Sequence, residues 1–343
     1  MPEISALPLS VIIIVFFAAA AVIAVAGTRL AGVADELADR TGLGEAMVGA
    51  VLLGASTSLP GIITSVITAG QGHVSLATGN AFGGIAAQTA FLCIADLAYR
   101  KVNLEHAAAS VGNMVQAALL IVLLTLALIP ATLPPVSFYG ISPATPVLVL
   151  AYLFGLRLLR LTGTHPMWQP RRTSETQREE ADDSTMSAVS TGALWFRFVV
   201  LAAILAVAGY AVSQTGVAIA GRTGFSQSAV GALFTAVVTS LPELVIAVAA
   251  VRRGALNLAV GNIIGGNCFD VLFLAGADLA YREGSLYAEF SAEDQFLASA
   301  TILMAAILLL GLLRRERQGF AGIGFESTAI AIVYLGVVLV MVL

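Results

Sequence analysis

Residues 223–282 read TGFSQSAVGALFTAVVTSLPELVIAVAAVRRGALNLAVGNIIGGNCFDVLFLAGADLAYR, and residues 41–100 read TGLGEAMVGAVLLGASTSLPGIITSVITAGQGHVSLATGNAFGGIAAQTAFLCIADLAYR. The two align without a gap at a constant offset of 182, and 25 of the 60 positions are identical. The shared landmarks are Thr57-Ser58-Leu59-Pro60 against Thr239-Ser240-Leu241-Pro242, and Gly79-Asn80 with Gly83-Gly84 against Gly261-Asn262 with Gly265-Gly266. Polar, Gly- and Pro-containing motifs at matching places in two hydrophobic halves point to a binding site at a repeat interface.

Around these repeats the chain is 58% hydrophobic and only 11% charged over its 343 residues. A soluble domain carries about 25% charge, so the expected solvent is a lipid bilayer. A net charge of -4, with no basic tract, excludes a nucleic-acid partner. The first apolar run, roughly 7–27, follows MPEIS, which lacks Lys and Arg. It therefore reads as a first span and not as a cleaved signal peptide. Cys93 and Cys268 lie in apolar segments, are not repeat-equivalent, and read as small buried hydrophobes.

Apolar runs long enough to cross a bilayer fall at roughly 7–27, 46–69, 74–98, 107–130, 141–162, 194–213, 227–250, 256–280, 295–313 and 322–343. The fold expected is an all-α integral membrane protein of ten transmembrane helices, five per half. Residues 1–162 form the first half, around the repeat at 41–100. Residues 193–343 form the second, around the repeat at 223–282. Between them, 163–192 carry Pro, Ser, Thr and mixed charge with few apolar residues, the composition of a hydrophilic linker.

On this span pattern all of the 17 Lys and Arg residues except Arg222 and Arg282 fall on one side. Positive loops stay cytoplasmic. The expectation is a plasma or inner membrane protein with both termini outside and the 163–192 linker cytoplasmic. Five spans per half is an odd number, so the second half enters from the opposite face and the repeats are inverted.

Pro60 and Pro242 fall in mid-span, where proline removes a backbone donor and clashes with the preceding turn. Each helix should kink or break there. Thr57, Ser58, Thr239 and Ser240 then offer hydroxyls, and freed carbonyls offer oxygens, at membrane depth. Glu243 directly follows Pro242, and Asp270 lies in the middle of the next span. A carboxylate there costs at least ~2.5–3.5 kcal/mol and marks a functional site by default. Two carboxylates with hydroxyl, amide and carbonyl oxygens suit calcium or sodium. Asn267, three before Asp270, shares its helix face. Asn80 and Asn262 read as caps or braces of a Gly-rich crossing, in which small-xxx-small spacings allow close helix approach. Asp96 and Asp278 each precede an Arg by four residues, Arg100 and Arg282, and read as interfacial ion pairs.

At these motifs the chain resembles the cation/calcium antiporter superfamily, the sodium/calcium exchanger membrane region, over nearly its whole length. The resemblance implies ten helices, with the second, third, seventh and eighth enclosing the ions. It also implies alternating access, in which the first and sixth helices slide past that core. Thr239, Ser240, Glu243, Asn267 and Asp270 stand at the family's ligand or motif positions. The first repeat departs. Its expected glutamate is Gly61, its expected Asn is Ile85, and its final Asn/Asp position is Gln88. One Glu and one Asp balance one divalent ion or two monovalent ions, which leaves three sodium ions per calcium short of anionic compensation. Gly61 would leave room for water, or a different ion, where a glutamate would have stood.

The function expected is secondary exchange of calcium, or a related cation, against sodium or protons. The cation site would comprise Glu243, Asp270, Thr239, Ser240, Thr57, Ser58, Asn267 and Gln88. No cofactor is expected beyond the transported inorganic cations. A degenerate member that binds a cation without moving it is the alternative raised by Gly61, and a passive pore is a third class. No catalytic triad, phosphate-binding glycine loop or His/Cys cluster is visible, and His73, His106 and His165 are scattered, so no enzyme is expected.

Overall fold

The computed structural model describes residues 6–41, 54–99, 102–108, 110–164, 190–316 and 323–343. Most of the expected linker, 165–189, and part of the expected second span, 46–53, lie outside the described residues. Long apolar runs fold as helices because a bilayer leaves no water to satisfy backbone groups. The helices are α1 (Leu9–Thr41), α2 (Leu59–Gly70), α3 (Val74–Ala98), α4 (Leu104–Ala107), α5 (Val111–Leu128), α6 (Ala144–Thr164) and α7 (Thr191–Thr223). They continue with α8 (Gln227–Thr239), α9 (Leu241–Arg253), α10 (Leu256–Asp270), α11 (Leu272–Ala280), α12 (Ala292–Arg314) and α13 (Phe325–Val342). Among the described residues, eight helices are long and apolar enough to cross a membrane, or nine when the bent pair α8–α9 counts as one span. The protein is an all-helical integral membrane protein.

Helix α3 lies at the centre. Its most apolar stretch is 83% buried, against 22% for α6 and α7. The outer helices turn Phe154, Phe196, Val207 and Leu335 outward, as lipid-facing residues must. Helices α1 and α7, 33 residues each, are roughly 50 Å long at about 1.5 Å per residue. They exceed a hydrocarbon core of about 30 Å, so each either tilts or projects beyond it, and the charged last turns of α1 suit projection. The two pack against each other through Ile12, Ile23, Leu30, Leu205 and Val212.

The glycines of α3 serve packing. Gly79 and Gly83 meet the π-helical turn Gly231–Thr235 of α8, and a Cβ at Gly79 would stand 2.6 Å from the Ser228 carbonyl oxygen. Gly261 and Gly265 likewise bring α10 close to Asn113 and Gln116 of α5. Cys93 and Cys268 are buried and free.

Candidate cation site

The two Thr-Ser-Leu-Pro motifs break their helices at the same place. Residues 54–57 are helical, Ser58 is not, and α2 starts at Leu59 with Pro60 in its first turn. In the second repeat α8 ends at Thr239, Ser240 takes φ -96° and ψ 7°, and α9 starts with Pro242 in its first turn. The bend between α8 and α9 is 48°. The missing proline N–H and the ring's bulk account for both breaks.

The breaks face α3 and α10, and the polar groups converge there. Ser58 Oγ donates to Asp270 Oδ1 at 2.5 Å. Gln88 Nε2 donates to Asp270 Oδ2 at 2.6 Å and to Ser240 Oγ at 3.1 Å. Gln88 and Asp270 are repeat-equivalent, as are Ser58 and Ser240, so each serine stands beside the α3 or α10 polar residue of the opposite repeat. Glu243 is 7% exposed, lies close enough to feel the Asp270 charge, and is faced by Thr57. Neither Glu243 oxygen has a hydrogen-bond partner of ordinary geometry.

Asn267 joins through Thr89, whose Oγ1 accepts from its Nδ2 at 3.0 Å and which follows Gln88 in the chain. Its Oδ1 and the Gln88 Oε1 are buried without partners. Four buried oxygens on the residues gathered here are thus orphaned, two on Glu243 and one each on Gln88 and Asn267. Such groups are costly to bury unsatisfied, and a hard cation is what they fit. Among the described residues no group of three His, Cys, Asp or Glu is placed to hold a metal ion together, and the carboxylates at this site are Glu243 and Asp270.

Thr57 and Thr239 also bond their own helices, to Gly54 O at 3.1 Å and Ala236 O at 3.2 Å. Thr239 turns toward Asn80 Oδ1 at 3.4 Å. Asn80 is the brace between the two broken helices. Its Nδ2 donates to Gly61 O at 3.1 Å and Ser65 Oγ at 2.9 Å, and its Oδ1 accepts from Thr235 Oγ1 at 2.9 Å. Its repeat mate Asn262 forms no hydrogen bond among the described residues and is half-buried, so only one of the two expected braces is built. Ser65, Thr89 and Thr235 carry no motif signal, and their roles emerge only from packing.

Two expectations are corrected. Gly61 does not open a space for water or another ion, because the Phe273 ring fills it. A Cβ at Gly61 would lie 2.6 Å from Phe273 Cε2. Asp278 is not paired with Arg282. Its oxygens accept from the Leu286 amide at 2.9 Å, the Ser142 amide at 2.8 Å and the Thr145 hydroxyl at 2.6 Å, while Arg282 is exposed. Asp96 likewise accepts from the Leu104 amide at 2.8 Å and the Gly324 amide at 3.2 Å; Arg100 lies outside the described residues. Backbone N–H groups capture both carboxylates because the chain turns back over each helix end.

The family model described as sodium/calcium exchanger protein matches residues 11–161 and 193–343. The chain is 26% identical over 319 residues to the inner membrane protein YrbG of Escherichia coli (strain K12), covering 90% of each chain. It is 26% identical over 286 residues to the putative antiporter CaxA of Alkalimonas amylolytica, covering 82% of this chain and 85% of that one. The fold resembles the solved H+/Ca2+ exchanger CAX with a TM-score of 0.68 at 14% identity, over 96% of this chain and 86% of that one.

Proposed function

Since the chain belongs to the sodium/calcium exchanger protein family, we propose that it is a secondary antiporter exchanging calcium, or a related cation, against sodium or protons. The observation that carries this reading is Glu243, a buried carboxylate whose two oxygens have no hydrogen-bond partner of ordinary geometry, beside Asp270 at two symmetric helix breaks. Glu243 and Asp270 supply the charge, and Ser58, Ser240, Thr57, Thr239, Gln88 and Asn267 supply neutral oxygens. With the cation gone, protons on the carboxyls would replace its charge. The name of the relative CaxA, a putative antiporter, agrees with exchange.

The topology we propose has ten helices in two inverted five-helix repeats, in halves 1–162 and 193–343 joined by a cytoplasmic linker at 163–192. Both termini lie outside, in a plasma or inner membrane. Alternating access would come from sliding of α1 and α7 past the site. Two glycines 182 apart support it: Gly27 of α1 lies against Pro242, and a Cβ at Gly209 of α7 would meet Pro60 O at 2.9 Å. Both long helices thus touch the broken helices at the break itself, through a residue with no side chain to interlock.

Calcium-45 uptake into proteoliposomes, under an imposed sodium gradient, then a proton gradient, then neither, tests the proposal. Uptake driven by one gradient names the coupling ion. Calcium binding without flux under any gradient would replace exchange with the non-transporting reading.

A further inference from the structure

One corner of the fold is built twice. At the end of α11, Asp278 takes the amides of Leu286 and Ser142 and the Thr145 hydroxyl, and Thr145 Oγ1 lies 3.3 Å from Tyr287 Oη. Subtracting or adding 182 gives the other corner residue by residue. Asp96, near the end of α3, takes the amides of Leu104 and Gly324. The side chains that fill the two corners differ. Where the first has Tyr287, Thr145 and Ala144, the second has Glu105, Ser327 and Glu326. Two neutral positions have become glutamates.

Glu105 and Glu326 are each 1% exposed and face one another, with Asp96 close by. None of their four carboxylate oxygens accepts from an N–H or hydroxyl donor, which leaves a proton between the two facing carboxyls as their one available bond, and the Ser327 hydroxyl, turned toward Asp96, makes none of ordinary geometry. Gly311 and Gly324 form a slot for Glu326, since a Cβ at either position would run into its side chain. Among the described residues the ion pair present is Arg40–Glu36, far along the chain from this corner. The counterpart corner shows that the same backbone closes with neutral groups in mutual hydrogen bonds, so the fold itself does not need the glutamates.

Five buried oxygens on two elements are therefore left open. A proton shared by the two carboxyls would satisfy two of them and leave three. A calcium-class ion, with six to eight oxygen ligands in irregular geometry, accepts all five at once. We propose that Glu105, Glu326 and Ser327 form a second cation site, for a calcium-class divalent ion, where α3 and α12 end and α13 begins. It is separate from the Glu243–Asp270 pair, since Asp96 lies about 12 Å along α3 from Gln88 at about 1.5 Å per residue. Under the topology proposed above this face is cytoplasmic. The site would then report cytoplasmic cation level, and its occupant would tie α4 to α13.

Equilibrium binding of calcium-45 to the purified full chain carrying Glu243→Gln and Asp270→Asn tests this, because the transport pair is disabled and flux is not the readout. About one calcium per chain is expected to remain. It should disappear when Glu105→Tyr, Glu326→Ala and Ser327→Thr are added, a composition that the other corner already packs, with melting close to that of the parent. Glu105→Gln with Glu326→Gln is the second variant, expected to lose the same calcium. Absence of calcium binding to the Glu243→Gln/Asp270→Asn protein overturns the proposal. So does binding that survives either set of added substitutions. Failure of the antiporter reading would appear as absent flux in the wild type, with this binding intact.

Discussion

Gln88 and Asp270, repeat-equivalent positions on α3 and α10, are direct partners across 2.6 Å. One of the two symmetric positions is thus a carboxylate and the other an amide that donates to it. Removing the amide leaves Asp270 with the Ser58 hydroxyl as its remaining side-chain donor and deletes one of the orphaned oxygens. Gln88→Ala is expected to weaken apparent calcium affinity about tenfold, the size of one charge-assisted hydrogen bond or ligand lost. The concentration dependence of uptake measures it, and an unchanged half-saturation would remove Gln88 from the site.

Phe273 accounts for the missing first-repeat glutamate. Its ring occupies the space beside Gly61, so Gly61→Glu alone overpacks the core and should destabilise the protein by roughly 1–3 kcal/mol. Pairing Gly61→Glu with Phe273→Ala should recover part of the melting temperature and add a third carboxylate. If Gly61→Glu alone melts like the wild type, the ring is not the obstacle.

Gly209 carries the contact between α7 and Pro60. Gly209→Ala adds one methyl at that contact and touches neither carboxylate. Calcium flux is expected to fall at least tenfold while calcium binding stays within about twofold, roughly the 1.4 kcal/mol that separates a tenfold change from none. Equal loss of binding and flux would place Gly209 in the site's architecture and not in its motion.

Glu105, on α4 between spans, is held well above its ordinary value of 4.5 by burial, then by the facing Glu326 and Asp96 carboxyls. Around it stand Asp96 and Cys93 on α3, Glu326 on α13, Glu316 just after α12, His106 on α4, and Arg315, which donates to the His106 carbonyl. Below 4.5 both folded and unfolded chains hold the Glu105 proton, and it contributes nothing to pH dependence. As pH rises from there, the unfolded chain releases its proton first, so the folded state loses stability up to the raised folded value. The melting temperature of calcium-free protein should fall across that window, and calcium should restore it at neutral pH. Glu105→Gln should flatten the slope, and a slope left intact by that substitution would assign it to another group.

The chain makes legible whatever an expensive residue announces locally. A proline in mid-span at Pro60 and Pro242, and a carboxylate beside it at Glu243, are anomalies that a bilayer penalises, and the repeat doubles the signal. The helix breaks at Ser58 and Ser240 and the buried carboxylates Glu243 and Asp270 follow from that, whereas Gln88 enters only through the family resemblance. Contacts with no local signature were not legible. Phe273 reaches Gly61 from 212 positions away, and an aromatic residue in an apolar span looks like any other. Asp278 has Arg282 at helical spacing, yet the backbone amides of Leu286 and Ser142 bind it, because the chain folds back after α11. The Glu105–Glu326 pair joins two segments that sequence spacing does not relate.

The most direct test of the central claim is calcium-45 uptake by Glu243→Gln proteoliposomes beside the wild type, under the gradient that drives wild-type uptake. Because neither Glu243 oxygen has a hydrogen-bond partner of ordinary geometry, the amide should fold with a melting temperature close to wild type. Uptake should fall to the level of empty vesicles. Wild-type uptake by folded Glu243→Gln protein would contradict the assignment of this carboxylate as the cation's ligand.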